Sequence, residues 1–191
     1  MKIVPTFATQ NSREGLFAIH FDNEDYDELE KCLEKWFDTE YLYNFFSAHI
    51  NDLNSGHYEN QISIQQAIKY SRQEAAALFQ TLEELATEGI RNNYKNLSVA
   101  FQPLRNDEYG TIQLQKVKAK TNAEKRWLRI YAIKIGPNTF IVTGGAIKLV
   151  RTMQENTQLL QEKRKLDDIK IFLEQEGIFD QGDFEVYILS L

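Results

Sequence analysis

Lys116, Lys118 and Lys120 stand two apart, the spacing that puts three side chains on one face of a β-strand. They open the most basic stretch of the chain. Between Gly110 and Arg151 there are nine Lys or Arg residues, the others being Lys125, Arg126, Arg129, Lys134, Lys148 and Arg151, against the single acid Glu124. Residues 1–109 carry nine basic and eighteen acidic groups, and residues 152–191 carry four and nine. A chain of net charge −6 thus holds a segment of +8 between segments of −9 and −5. Such a segment suits phosphates, with Trp127 or Tyr131 placed to stack on an RNA base. The competing reading is a solvated sheet face whose lysines discourage edge pairing. Strand parity leaves open whether Trp127, Arg129 and Tyr131, or Arg126, Leu128 and Ile130, share the lysines' face.

Other chemistry is thin. His20, His49 and His57 have no metal-ligand spacing to one another, to Cys32 or to an acid, so neither a metal nor another cofactor is expected. Cys32 sits among Leu29, Leu33 and Trp36 at helical spacing and reads as a small buried hydrophobe. A lone cysteine forms no intramolecular disulfide. The acids from Glu24 to Glu30 read as a solvated helix face. Gly144-Gly145 lacks the spacing of a phosphate loop or dinucleotide fingerprint and reads as a strand bend or bulge. No nucleophile elbow and no Cys-His pair is present.

The elements that position these residues follow from periodicity. After an Ile3-Val4 start, residues up to Gly15 have turn character, and Leu16 to Phe21 forms a strand ended by Asp22-Asn23. Either of these two caps a helix whose first turn is acidic. Apolar residues at helical spacing run from Leu29 to Leu53 and stop at Asn54-Ser55-Gly56. Ser63 with Gln66 is a capping box and opens a long helix closed by Gly89. Leu97 to Phe101 reads as a short strand or as an extended approach ending before Pro103. A basic meander occupies 112–150, with turns between its runs and Gly136-Pro137-Asn138 before the last strand. Gln158 to Gln175 is a helix, and the apolar tail Phe184 to Leu191 packs as a strand or serves a partner.

Length and composition agree with one domain over 1–191: a strand plus helical part (16–96), a basic antiparallel sheet (97–155), and a C-terminal helix with its tail (156–191). The fold class expected is α+β, a twisted antiparallel sheet packed against helices. At 42% hydrophobic and 12% aromatic the chain can build a core. No window approaches 18 apolar residues and no apolar leader follows Met1-Lys2, so the chain reads as cytoplasmic, without a membrane partner. The acidic total argues against a general nucleic-acid coat, though not against a local basic groove.

From Arg129 onward the order of residues is informative. Arg129-Ile130-Tyr131, Phe140-Ile141-Val142, Gly145, Lys148 and Thr152-Met153-Gln154 occur in the sequence seen in the RelE/HigB-like toxins of toxin–antitoxin modules. The stretch resembles the end of that toxin fold, and Pro103-Leu104 before the Lys116/Lys118 strand resembles its approach. The resemblance implies a RelE-like toxin fold with an enlarged helical part, and an endoribonuclease that cuts messenger RNA free or on the ribosome. It further implies an antitoxin protein as partner. By resemblance Arg129 and Lys148 stabilise phosphate charge, Tyr131 stacks or transfers a proton, and Lys116, Lys118, Lys120, Arg126, Trp127 and Arg151 contact RNA. Two departures stand out. Leu149 replaces the second lysine usual after the first, and Tyr187 is the sole late candidate for a catalytic group. The alternative is a non-catalytic relative that binds protein or RNA. A third reading has the basic sheet neutralised by the chain's own acidic segments.

Overall fold

The computed structural model describes residues 1–8, 13–55, 62–92, 94–104, 113–121, 127–149 and 157–190. The elements run β1 (Lys2–Phe7), β2 (Gly15–His20), α1 (Glu28–Phe37), α2 (Thr39–Ala48), α3 (Ile50–Leu53) and α4 (Ile64–Gly89). After a single 3-10 turn (Leu97–Val99) come β3 (Phe101–Pro103), β4 (Gln115–Ala119), β5 (Leu128–Gly136), β6 (Thr139–Ile147), α5 (Thr157–Gln175) and α6 (Gln181–Ser190).

The fold is α+β, built on one six-stranded sheet in the order β1-β2-β6-β5-β4-β3. The meander β4-β5-β6 is antiparallel as its turns predict. The sheet as a whole is mixed, which corrects the antiparallel expectation: β2 runs parallel to β6, from Gly15 opposite Thr139 to Ala18 opposite Val142. More than a hundred residues separate these strands, ample chain for the crossover that parallel pairing requires. Both edge strands carry a proline, Pro5 in β1 and Pro103 in β3, and β1 is further broken by a register shift after Pro5. Proline removes a ladder donor and so blunts each edge.

Helices cover both faces. Leu16, Ala18, Val117, Leu128, Ile130 and Val142 bury one face against α1, α2 and α4. Phe17, Ile19, Tyr131, Ile133 and Ile141 bury the other against α5 and α6. Burial on both sides explains why β2 and β6 read as unbroken apolar runs. It also corrects the picture of a solvated basic sheet face.

Several local expectations shift. Residues 2–7 form a strand because β2 offers them a partner, which turn-rich sequence did not reveal. The cap of α1 is Asp27, beyond Asp22-Asn23. Its Oδ1 accepts from the backbone N–H groups of Leu29 (2.8 Å) and Glu30 (2.9 Å), and the Glu30 carboxylate accepts from the Asp27 N–H at 3.1 Å. Asp27→Ala removes this capping box and is expected to cost about 1 kcal/mol, lowering the thermal midpoint by about 2–4 °C; scanning calorimetry at neutral pH checks it. The Ser63–Gln66 capping box of α4 forms as its sequence predicts. Leu97–Val99 is a 3-10 turn rather than a strand, and the tail forms the helix α6. Phe184 plugs α6 onto the sheet, its ring edge-on to Phe17 at 4.9 Å between centroids. Gly89, read as a helix stop, is also a close approach: a Cβ there would strike the side chain of Asn138, which bonds Leu97 and Ala86. Among the described residues no helix is long and apolar enough to cross a membrane.

Candidate anion-binding face

The β4–β5 register settles which residues share the lysines' face. Lys116 lies opposite Ile133 and Lys118 opposite Tyr131, so Arg129 and Tyr131 belong to the lysine set. Continuing that register by one step places Lys120 opposite Arg129. Lys148 follows β6 on the parity of Ala146, the partner of Arg129, and its N–H donates to the Trp127 carbonyl at 2.7 Å. Lys118, Lys120, Arg129 and Lys148 therefore gather at one end of the sheet, on the side of α5. Burial lowers the Lys118 ammonium, and the charges of Lys120 and Arg129 lower it further. Lys118 donates to the Leu104 carbonyl at 3.1 Å, and Arg129 folds back onto the Leu128 carbonyl at 2.6 Å.

The remaining expected site residues fall elsewhere. Lys116 is ion-paired with Asp167 of α5, so one carboxylate of that helix neutralises one cation of the basic sheet. Trp127 is fully buried beneath α4, its Nε1–H donating to Ser71 at 2.8 Å, and presents no face to a base. Tyr131 is buried under α5, and burial pushes its hydroxyl above the usual phenol value. Neither ring is placed for stacking, because α4 covers Trp127 and Tyr131 stands in a central strand covered by α5. Arg126 and Arg151 lie outside the described residues, as does His57.

Two buried polar centres escaped the sequence reading. Glu74 of α4 is 3% exposed, and its Oε2 accepts from the N–H groups of Trp127 (3.0 Å) and Leu128 (3.2 Å). Thr121 donates to its Oε1 at 3.2 Å. Glu74 thus holds the start of β5, next to Arg129. Burial raises its carboxyl to about 7 despite those donors. Its position on the stripe of Ala67, Ser71, Ala75 and Leu78 was the available signal, since a carboxylate on an apolar helical face needs an internal partner.

The second centre straddles the sheet. Pairing of β2 with β6 ends at Ala18–Val142, and beyond it Gly144 and Gly145 leave a gap through which α1 and α5 meet. Lys165 of α5 donates to Glu28 of α1 (2.5 Å) and to Glu162 (3.0 Å); Glu28 also accepts from Lys31 at 2.6 Å, and Lys31 pairs with Glu24. A Cβ at Gly144 would strike Glu162 and Lys165, and one at Gly145 would lie 2.6 Å from Cys32 Sγ. The Tyr131–Gly144 and Ala132–Val142 pairs skip one residue, so the bulge read from Gly144-Gly145 is present. Burial raises the Glu28 and Glu162 carboxyls. Burial opposes the Lys165 charge, but Glu162 and Glu28 outweigh it and raise the ammonium. Cys32 is buried with its thiol pushed up by burial, an inert hydrophobe. Among the described residues no cluster of His, Cys, Asp or Glu is suited to hold a metal ion.

No protein-family model, curated protein or solved structure matches this chain.

Proposed function

We propose that this is a toxin-like, RNA-directed protein of the RelE/HigB-like kind, which holds RNA phosphates at the corner formed by Lys118, Lys120, Arg129 and Lys148. The observation that carries the reading is the cross-strand gathering of these cations at one end of β4, β5 and β6. The order of strand β2, then helices, then a three-stranded meander supports the same family. Cleavage is the stronger form of the proposal, in which Arg129 and Lys148 stabilise charge on the reacting phosphate. It requires a proton-transfer group, and the buried Tyr131 hydroxyl is withdrawn from that role. Binding without cleavage is therefore the form that the geometry favours.

Binding of a labelled single-stranded RNA at several salt concentrations tests this. Four engaged cations give a log–log salt slope of about −3, and Lys118→Ala with Arg129→Ala reduces its magnitude by about 1.4. Absence of salt-dependent binding by the folded protein overturns the proposal. Incubated RNA analysed for new ends separates cleavage from binding. A second reading, contact with a protein partner such as an antitoxin, is favoured by α6, which exposes Val186 and Leu189.

A further inference from the structure

Glu74 lies on the α4 side of the sheet, across from the corner where Lys118, Lys120, Arg129 and Lys148 gather. Its hydrogen bonds end at the places where three of those four cations branch from the chain. Thr121, which donates to Oε1 at 3.2 Å, directly follows Lys120. Leu128, whose N–H donates to Oε2 at 3.2 Å, directly precedes Arg129. Trp127, whose N–H donates to the same oxygen at 3.0 Å, accepts at its carbonyl from the Lys148 N–H at 2.7 Å. One buried carboxyl thus ties the end of β4 to the start of β5 and, through Trp127, to the residue that carries Lys148. Ser71, one turn earlier on α4, holds the Trp127 indole and fixes the helix against the same spot.

Charge crosses the sheet as well. From β4 Glu74 faces Thr121, and from β5 it faces the two N–H groups and the charge of Arg129, the largest charge acting on it. Glu124, Lys125 and Arg126, between the two strands, lie outside the described residues. An ionised Glu74 offsets part of the corner's positive charge, through a protein interior that screens far less than water. A neutral Glu74 does not.

We infer that Glu74 is a positioning residue for the anion-binding corner and couples phosphate binding there to uptake of a proton, the corner holding phosphates more tightly when Glu74 is neutral. The inference rests on the anion-binding reading of that corner and supplies its regulation. The hydrogen bonds outlast protonation: the acid hydroxyl at Oε1 donates to Thr121 Oγ1, which turns from donor to acceptor, and Oε2 keeps both N–H groups. Coupling is reciprocal, so a bound phosphate tightens the hold of Glu74 on its proton by the same factor. Burial already places that titration near neutrality, at about 7.

Binding of a labelled uridine oligonucleotide, which does not itself titrate between pH 6 and 8, tests this at fixed salt with the full chain. The wild type is expected to bind about fivefold more tightly at pH 6 than at pH 8. Glu74→Gln reproduces the neutral form, its amide donating to Thr121 and its oxygen accepting from the N–H groups. It is expected to bind at both pH values as the wild type does at pH 6. Contributions from the histidines are common to both proteins and cancel. Glu74→Ala has the same charge as the Gln variant but no clamp, and is expected to bind about threefold or more below it. Circular dichroism establishes that each variant is folded, and the Gln variant decides the coupling by itself if the Ala variant is not. Salt-dependent binding whose pH profile is the same in wild type and Glu74→Gln, or tighter wild-type binding at pH 8, overturns this inference and leaves the anion-binding reading standing. Absence of salt-dependent binding at both pH values overturns that reading and this inference together.

Discussion

Unfolding free energy is expected to fall by about 3 kcal/mol as pH rises from 4.5 to 7.5, most of it through Glu74. The ordinary glutamate value is 4.5 and burial raises Glu74 to about 7. A carboxyl whose folded value lies above its unfolded value holds its proton more tightly when folded. Its contribution is therefore complete below pH 4.5 and lost as pH climbs through 7. Glu28, Glu162 and Asp27 are raised in the same direction by burial and add to the trend. Urea titrations at pH 5, 6, 7 and 8 measure it. Glu74→Gln keeps an acceptor for the Trp127 and Leu128 N–H groups and should flatten the profile. Glu74→Ala leaves both N–H groups buried without a partner and should cost about 2–4 kcal/mol at pH 8, and more at pH 5, where the wild type gains from holding the Glu74 proton. A wild-type profile that rises from pH 5 to 8 would exclude the assignment.

Lys165→Met is the second large effect. Lys165 serves two buried glutamates at once, and breaking a buried ion cluster by removing one partner leaves uncompensated charge. The expected cost is about 3 kcal/mol at pH 8, the low end for such a change because part of the side chain meets solvent. The sign of its pH dependence is fixed. Without the ammonium, Glu28 and Glu162 become still harder to ionise, so the variant is penalised only where they must carry charge. At pH 4.5 the cost should shrink below about 1 kcal/mol. Adding Glu28→Gln and Glu162→Gln to Lys165→Met removes the stranded charges and should recover most of the loss at pH 8. Equal destabilisation at pH 4.5 and 8 would mean that Lys165 acts through packing of its alkyl chain.

The elements most legible in the sequence were those whose signals are local. Ser63 and Gln66 announce α4 because the box is closed within one turn. Gly136-Pro137-Asn138 announces the β5–β6 turn for the same reason, and Gly144-Gly145 the bulge. What stayed hidden depends on partners distant in sequence. The parallel pairing of β2 with β6 leaves no mark near either strand. Lys116, Lys118 and Lys120 alternate as in an exposed strand, yet Asp167 of α5 takes Lys116 and Lys118 turns to the Leu104 carbonyl. Trp127 and Tyr131 looked available because an aromatic residue in a basic strand has the same appearance at a surface and in a centre. Glu28, Glu162 and Lys165 looked like ordinary helix charges, and their meeting spans 137 residues. The cations at 118, 120, 129 and 148 were each named from sequence, and the register that gathers them was not.

The pairing of β2 with β6 also has a consequence for synthesis on the ribosome. When α4 has just emerged, β1 and β2 are already made, but the strand that must lie beside β2 is still about fifty residues away. Until then the inner edge of β2 offers open N–H and C=O groups, flanked by Leu16, Phe17, Ala18 and Ile19 with no sheet to bury them. The nascent N-terminal half is thus the stage most exposed to aggregation or chaperone capture. Closure of the sheet waits for β6, the late strand that joins the first hairpin to the meander.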